Sequence, residues 1–109
     1  MDCINKIELC GIVGSARTIN SENGGVSHAA FTVATNFAYR NSNGDPVIET
    51  TWHSVTGFAG PGIKEKTLKA LEKGCKVHVI GRVRNIRYTG GDGIERTMTE
   101  IIATCVEIV

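Results

Sequence analysis

At Gly60-Pro61-Gly62 the apolar period of this 109-residue chain changes from two to helical spacing, and by residue 76 it has changed back. Side chains alternate between faces along a strand and recur at three and four residues on a helix, so the period predicts the element. Before the switch the pattern predicts strands over residues 4–13, 29–39 and 47–58. Ile7, Leu9, Gly11 and Val13 share one face of the first, and Phe31, Val33, Thr35 and Phe37 one face of the second. Gly14 and the polar stretch 20–25 read as loop, and 41–46 as a turn. Within the switch, Ile63, Lys66, Thr67, Ala70 and Leu71 fall on a helix over 63–71, with Gly74 as its C-cap. After it come strands over 76–88 and 96–109, joined at Gly90-Gly91-Asp92-Gly93. In the fourth strand Val77, Val79, Gly81 and Val83 are expected inward, and Lys76, His78, Arg82 and Arg84 outward.

Three strands, one short helix and two more strands make an all-β chain in the element order of the five-stranded OB-fold Greek-key barrel, with the helix between strands 3 and 4. Such barrels bind oligonucleotides on strands two and three and through the loops joining strands one to two and four to five. The length suits one domain, 1–109, with one modest core.

The third strand carries Thr51-Trp52-His53-Ser54-Val55, with Phe58 six residues past the tryptophan. Alternation puts Trp52, Ser54, Thr56 and Phe58 on one side, which is mostly small and polar yet holds two rings. A core-facing strand would place aliphatics between the rings. A sheet face with exposed aromatics is what unpaired bases stack on. The competing interpretation is that a ring caps the core or packs in a subunit contact. Phe31 and Phe37 are expected at the core or its edge.

Formal net charge is only +1, so no bulk cationic coating is available. Residues 73–91 nevertheless carry Lys73, Lys76, Arg82, Arg84 and Arg87 without one acid, the local signature of an anionic partner or of a solvated strand face. Cys3, Cys10, Cys75 and Cys105 form no C-x-x-C pair and sit in apolar patterns, as reduced thiols of a cytoplasmic protein do. His28, His53 and His78 have no second ligand at metal-binding spacing, so neither metal nor cofactor is expected. No apolar run reaches membrane-span length. No nucleophile elbow, phosphate loop with Lys-Ser/Thr, or paired carboxylates occur, and Ser54 and His53 point to opposite faces. The chain reads as a binder and not as an enzyme.

Asn5-Lys6-Ile7-x-Leu9-x-Gly11, Ala34-Thr35-Asn36, Thr51-Trp52-His53-x-Val55 closing in Phe58, Leu71-Glu72-Lys73-Gly74, Gly81-Arg82-Val83-Arg84 with Tyr88, and Asp92-Gly93 followed by Thr99-Glu100-Ile101-Ile102-Ala103 together resemble the bacterial single-stranded DNA-binding protein family over roughly residues 4–106. The resemblance implies an OB-fold homotetramer, with a dimer as the alternative, that binds single-stranded DNA without sequence preference in replication, recombination and repair. It implies stacking by Tyr39, Trp52, Phe58 and Tyr88, where most relatives have tryptophan at the first and last. Phosphate contacts are expected from Lys76, Arg82, Arg84 and Arg87, extended by Arg40 and Arg96, and a subunit contact from His53.

The chain departs from the family at Ser15-Ala16-Arg17-Thr18-Ile19-Asn20, which lacks an acidic-proline and Arg-Tyr pattern, and at Ala59-Gly60, where Gly-Lys is common. It ends at Val109, before the acidic tail that in the family recruits replication and repair enzymes, either naturally or by trimming, so such partners stay open. That absence keeps a second expectation open: a paralogue resembling primosomal replication protein N, an adaptor at replication restart. A third is a structural barrel whose aromatics form an oligomer face.

Overall fold

The computed structural model describes residues 3–20, 22 and 25–109. Strands β1 (Ile7–Asn20), β2 (Val26–Arg40), β3 (Pro46–Phe58), β4 (Lys76–Thr89) and β5 (Glu95–Ile108) close into a barrel in the order β1-β2-β3-β5-β4, and α1 (Glu65–Ala70) lies between β3 and β4. Every pairing is antiparallel except β3 with β5, which is parallel. This is the expected OB architecture. Of the inward positions read from alternation, Leu9, Val13, Phe31, Val33, Val77 and Val79 are in the core. Val55, Ile101 and Val106 join them, the last two in opposite phase because Thr104 is an extra residue between Gly81↔Ala103 and Ile80↔Cys105. The helix adds Leu68, fully buried, with Ile63 and Leu71 just outside its ends.

Three local expectations need correction. The helix is six residues long, and the backbone is already extended at Leu71. Gly74 is therefore not its C-cap. It stands in the left-handed region (φ +94°) inside a turn closed by Cys75 N–H donating to Glu72 O at 3.2 Å, while its own N–H donates to Val13 O at 2.8 Å. Glycine is suited there because it adopts positive φ without a Cβ penalty.

The first strand does not end at Val13. It pairs with β2 through Asn20, and Gly14 is an unpaired bulge residue between the pairs Val13↔Val33 and Ser15↔Thr32. A bulge inserts one residue and shifts the alternation. Inward positions are odd-numbered up to Val13, and Ala16 packs on the core after it. The stretch 20–25 expected as a loop lies partly outside the described residues.

Phe31 is buried, but Phe37 is 67% exposed. The β2–β3 ladder runs on to Arg40↔Pro46, well past Val33, the last core residue of β2. Phe37 thus lies on an arm with no opposing sheet to cover it. The β4–β5 ladder likewise continues to Thr89↔Glu95, forming a second arm.

Replacing Leu68 with Ala should lower unfolding free energy by about 2–5 kcal/mol, the range for large-to-small changes at buried sites. Urea unfolding followed by circular dichroism measures it, and an unchanged midpoint would mean that α1 contributes nothing to the core.

Candidate nucleic-acid interface

On β2, the outward positions beneath the barrel wall are His28, Ala30, Thr32 and Ala34, small except for the histidine. Opposite them on β3 stand Phe58, Thr56, Ser54 and Trp52. Past the bulge, β1 adds Ile19 opposite His28, Arg17 opposite Ala30 and Ser15 opposite Thr32. Paired residues share a sheet face, so these three strands present one surface.

The small β2 residues let the Trp52 indole lie down across that strand. A Cβ at Gly14 would stand inside the indole ring and 3.0 Å from Thr32 Oγ1, so the absence of a side chain at the bulge makes room for the ring. One indole face remains open, and the residue is 61% exposed. Phe58 is 51% exposed, with its ring centroid 5.1 Å from that of His28 at an interplanar angle of 34°. Hydroxyls fill the ground between the rings: Ser15 Oγ lies 3.2 Å from Thr32 Oγ1, and Thr56 donates to Glu100 Oε1 at 2.5 Å. Beside this surface a cleft of about 400 Å3 is lined by Arg17, Thr32, Ser54, Thr56, Met98 and Glu100, among others.

The two tyrosines stand apart from the central pair. Tyr88 is opposite Arg96 on the β4–β5 arm, one step along the strand face beyond Ile86 and Met98, which border the cleft. Tyr39 is opposite Val47, at odd-numbered positions of β2 and β3, and so on the reverse face from Trp52. There it pairs with exposed Phe37, ring centroids 6.1 Å apart. The structure therefore brings Trp52 and Phe58 together and leaves one tyrosine on each arm.

The cations are less free than the acid-free run 73–91 implied. Arg84 meets Glu100 at 3.3 Å, Arg87 meets Glu95 at 3.5 Å and Arg96 meets Asp92 at 2.6 Å. Arg40 donates to Gly44 O at 2.8 Å in its own turn. Antiparallel pairing with β5 supplies acids that are distant in sequence from β4. Among the described residues, Arg17, Lys76 and Arg82 have no carboxylate within ion-pair distance, and all three are exposed. The Arg96 guanidinium, with the Ile94 N–H, holds the Asp92 carboxyl below its ordinary value.

His53 lies on the face opposite Trp52, half-buried, with Nε2 2.9 Å from Thr35 Oγ1. His28, isolated in the sequence, is here a ring neighbour of Phe58. Gly14, Thr32, Arg17 and His28 are the parts of this surface that sequence reasoning missed. Period two, carried past Gly14 with one residue skipped, would have put Arg17 on the tryptophan's face. Among the described residues no group of three His, Cys, Asp or Glu could hold a metal, the cysteines are free thiols, and no helix is long and apolar enough to cross a membrane.

With this geometry in view, comparison with known proteins is informative. The family described as "Single-strand binding protein family" matches residues 4–109. A "Single-stranded DNA-binding protein" of Neisseria meningitidis is 34% identical over 100 residues, covering 92% of this chain and 56% of that protein. One of Xylella fastidiosa is also 34% identical over 92% of this chain and 60% of its own length. A mitochondrial relative from Danio rerio is 30% identical over 106 residues, covering 92% of this chain and 72% of that protein. The chain thus spans under two thirds of the two bacterial relatives. The fold is similar to that in "Plasmodium falciparum SSB complex with ssDNA", with TM-score 0.80 at 24% identity over 100% of this chain and 97% of that one. It is also similar to a small single-stranded DNA-binding protein from Streptomyces coelicolor, with TM-score 0.72 at 21% identity, covering 100% and 96%.

Gly14→Val should lift the indole off β1, and a changed Trp52 emission spectrum with circular dichroism in the far ultraviolet preserved is the expected outcome. An unaltered spectrum would show that the indole does not rest there. A second outcome concerns acid. Because the Asp92 pKa is depressed in the folded chain, the Asp92–Arg96 contribution is present above the carboxyl's unfolded value and is lost as pH falls through the lower, folded one. Amide protection at residues 90–94 should fall with it, and not in Asp92→Asn, which has no carboxyl to titrate.

Proposed function

This chain belongs to the single-strand binding protein family, and from that premise we propose that it binds and protects single-stranded DNA without regard to sequence, in replication, recombination and repair. The observation that carries the reading is the surface made by Trp52 and Phe58. Two open rings on one sheet face, separated by hydroxyls and not aliphatics, have no core to cover. Every base has a π-face, so such rings hold bases of any identity. Tyr88 and Tyr39 extend stacking along the two arms, and the position of Tyr39 on the reverse face means that a strand touching both would pass around the arm's edge.

Phosphates in this reading are met first by Lys76, Arg82 and Arg17, whose charges have no acid to leave. Arg84, Arg87 and Arg96 would have to exchange a carboxylate for a phosphate, and Arg40 a turn carbonyl. The protein works by binding alone, without catalysis, in the cytoplasm. It assembles as a homotetramer, or a dimer, with His53 at the subunit contact. Its reverse-face, half-buried position supports that role, because a contact there leaves the stacking face open.

Titration with oligo-dT while following the single tryptophan, at low and high salt and with duplex DNA as control, tests the reading. Strong quenching by the single strand, absent with duplex and reversed by salt, is expected. Three unpaired cations at ~0.7 each give a log–log salt slope of about −2 per protomer. Trp52→Ala should weaken binding by ~1–3 kcal/mol, the general range for bases stacked in OB barrels, with oligomer mass unchanged. No quenching at low salt would remove the stacking mechanism and favour the adaptor role. A fall in oligomer mass on Trp52→Ala with no DNA affinity to lose would favour the structural one.

A further inference from the structure

The Phe58 end of the surface differs in composition from the Trp52 end. Trp52 is flanked by Ala34 and Gly14, neither of which adds charge. Phe58 is flanked by His28, its cross-strand partner, and one step along β1 the exposed Arg17 side chain shares the same face. Arg17 is opposite Ala30 and His28 is two residues from Ala30, so the two are diagonal neighbours, roughly 7–8 Å apart at the backbone. A phosphate group can be reached by both side chains at that separation.

We propose that Arg17 and His28 complete a one-nucleotide subsite at Phe58, in which the base lies on the Phe58–His28 ring pair and its phosphate is held between the imidazolium and the guanidinium, so that affinity for single strands rises as pH falls. This rests on the single-strand-binding reading above and adds to it a site and a proton. His28 is oriented for the task. Its ring lies beside Phe58 at 5.1 Å, and Nδ1 is 2.9 Å from Ser27 Oγ, which also contacts Ile19 O at 3.3 Å. The Ser27 hydroxyl occupies Nδ1, and among the described residues Nε2 makes no hydrogen bond.

Histidine changes charge between pH 5 and 8, and in its charged form it both attracts phosphate and gains from the face of the neighbouring ring. Charged side chains stand on the neighbouring elements. From β1 there is Arg17. From β5 there is Glu100, held by Thr56 and Arg84. From α1 there is Glu65, paired with Lys69 at 3.2 Å and near Gly25. Phe58, Thr56 and Ser54 bring no charge from β3. A bound phosphate would be the anion that the His28 and Arg17 side chains share.

The test compares the intact chain with His28→Phe, His28→Gln and Arg17→Gln, measuring oligo-dT affinity by anisotropy at pH 6 and pH 8 with ionic strength fixed. Binding by the unaltered chain should be roughly two- to fivefold tighter at pH 6, the size of one exposed ion pair, with a salt slope steeper by ~0.7. His28→Phe keeps a ring but has no proton to gain, and its affinity should be the same at pH 6 and pH 8. His28→Gln should lose affinity at both values and the pH effect with it. Arg17→Gln should weaken binding at both values and flatten the salt slope. Equal affinity at pH 6 and 8, or a pH effect that persists in His28→Phe, overturns the subsite while leaving single-strand binding intact. No binding by the unaltered chain at either pH overturns both. Thermal unfolding confirms that each variant is folded, and His28→Phe and His28→Gln test the position by independent chemistry.

Discussion

Three residue pairs close this barrel. Val55↔Ile101, Thr56↔Ile102 and Gly57↔Ala103 are the whole of the parallel seam between β3 and β5. Without it the strands would form one open sheet, β3-β2-β1-β4-β5, held by the β1–β4 ladder but with its inner face wet. The seam joins residues more than forty positions apart, so it forms only at a loop-closure cost that the buried core must offset. Val55 and Ile101 supply part of that core at the seam itself. Just beyond it on the outer face, Glu100 meets Thr56, and through Glu100 the Arg84 side chain is fixed beside the cleft. The closing contact thus sets both the stability of the fold and the electrostatics of its open side.

A second constraint acts through volume. An indole cannot lie flat on a sheet whose neighbours carry branched side chains. Ala34 on β2 and the bulged Gly14 on β1 leave the needed depression. The same bulge shifts the phase of β1, turning Ala16 to the core and Arg17 outward. One inserted residue therefore both seats the tryptophan and brings a cation onto its face. That is economical, and it makes Gly14 more than a connector.

Charge shows the opposite relation between sequence and fold. A run of five cations without an acid looks strongly basic along the chain. In the barrel, the neighbouring strands return Glu100, Glu95 and Glu8 to the same hairpin and its edge, where they engage Arg84, Arg87 and His78. Three strand cations without a carboxylate partner have apolar cross-strand neighbours: Lys76 opposite Ile12, Arg82 opposite Ile102 and Arg17 opposite Ala30. A surface with a few unpaired cations and several tethered ones attracts anions without becoming a general polyelectrolyte sink.

Much of this was legible from residues alone. Period two identified the five strands and most inward positions of the first, second and fourth, the single helical segment placed α1, and the spacing from Trp52 to Phe58 placed both rings on one outward face. These follow from local geometry, because alternation is a property of each strand by itself. The bulge at Gly14, the length of the arms that exposes Phe37, the reverse-face position of Tyr39, the pairing of Arg84 with Glu100 and the contact of His28 with Phe58 were decided by register. Register depends on which strands meet and where closure places them, and those pairings join residues too far apart for any local pattern to carry.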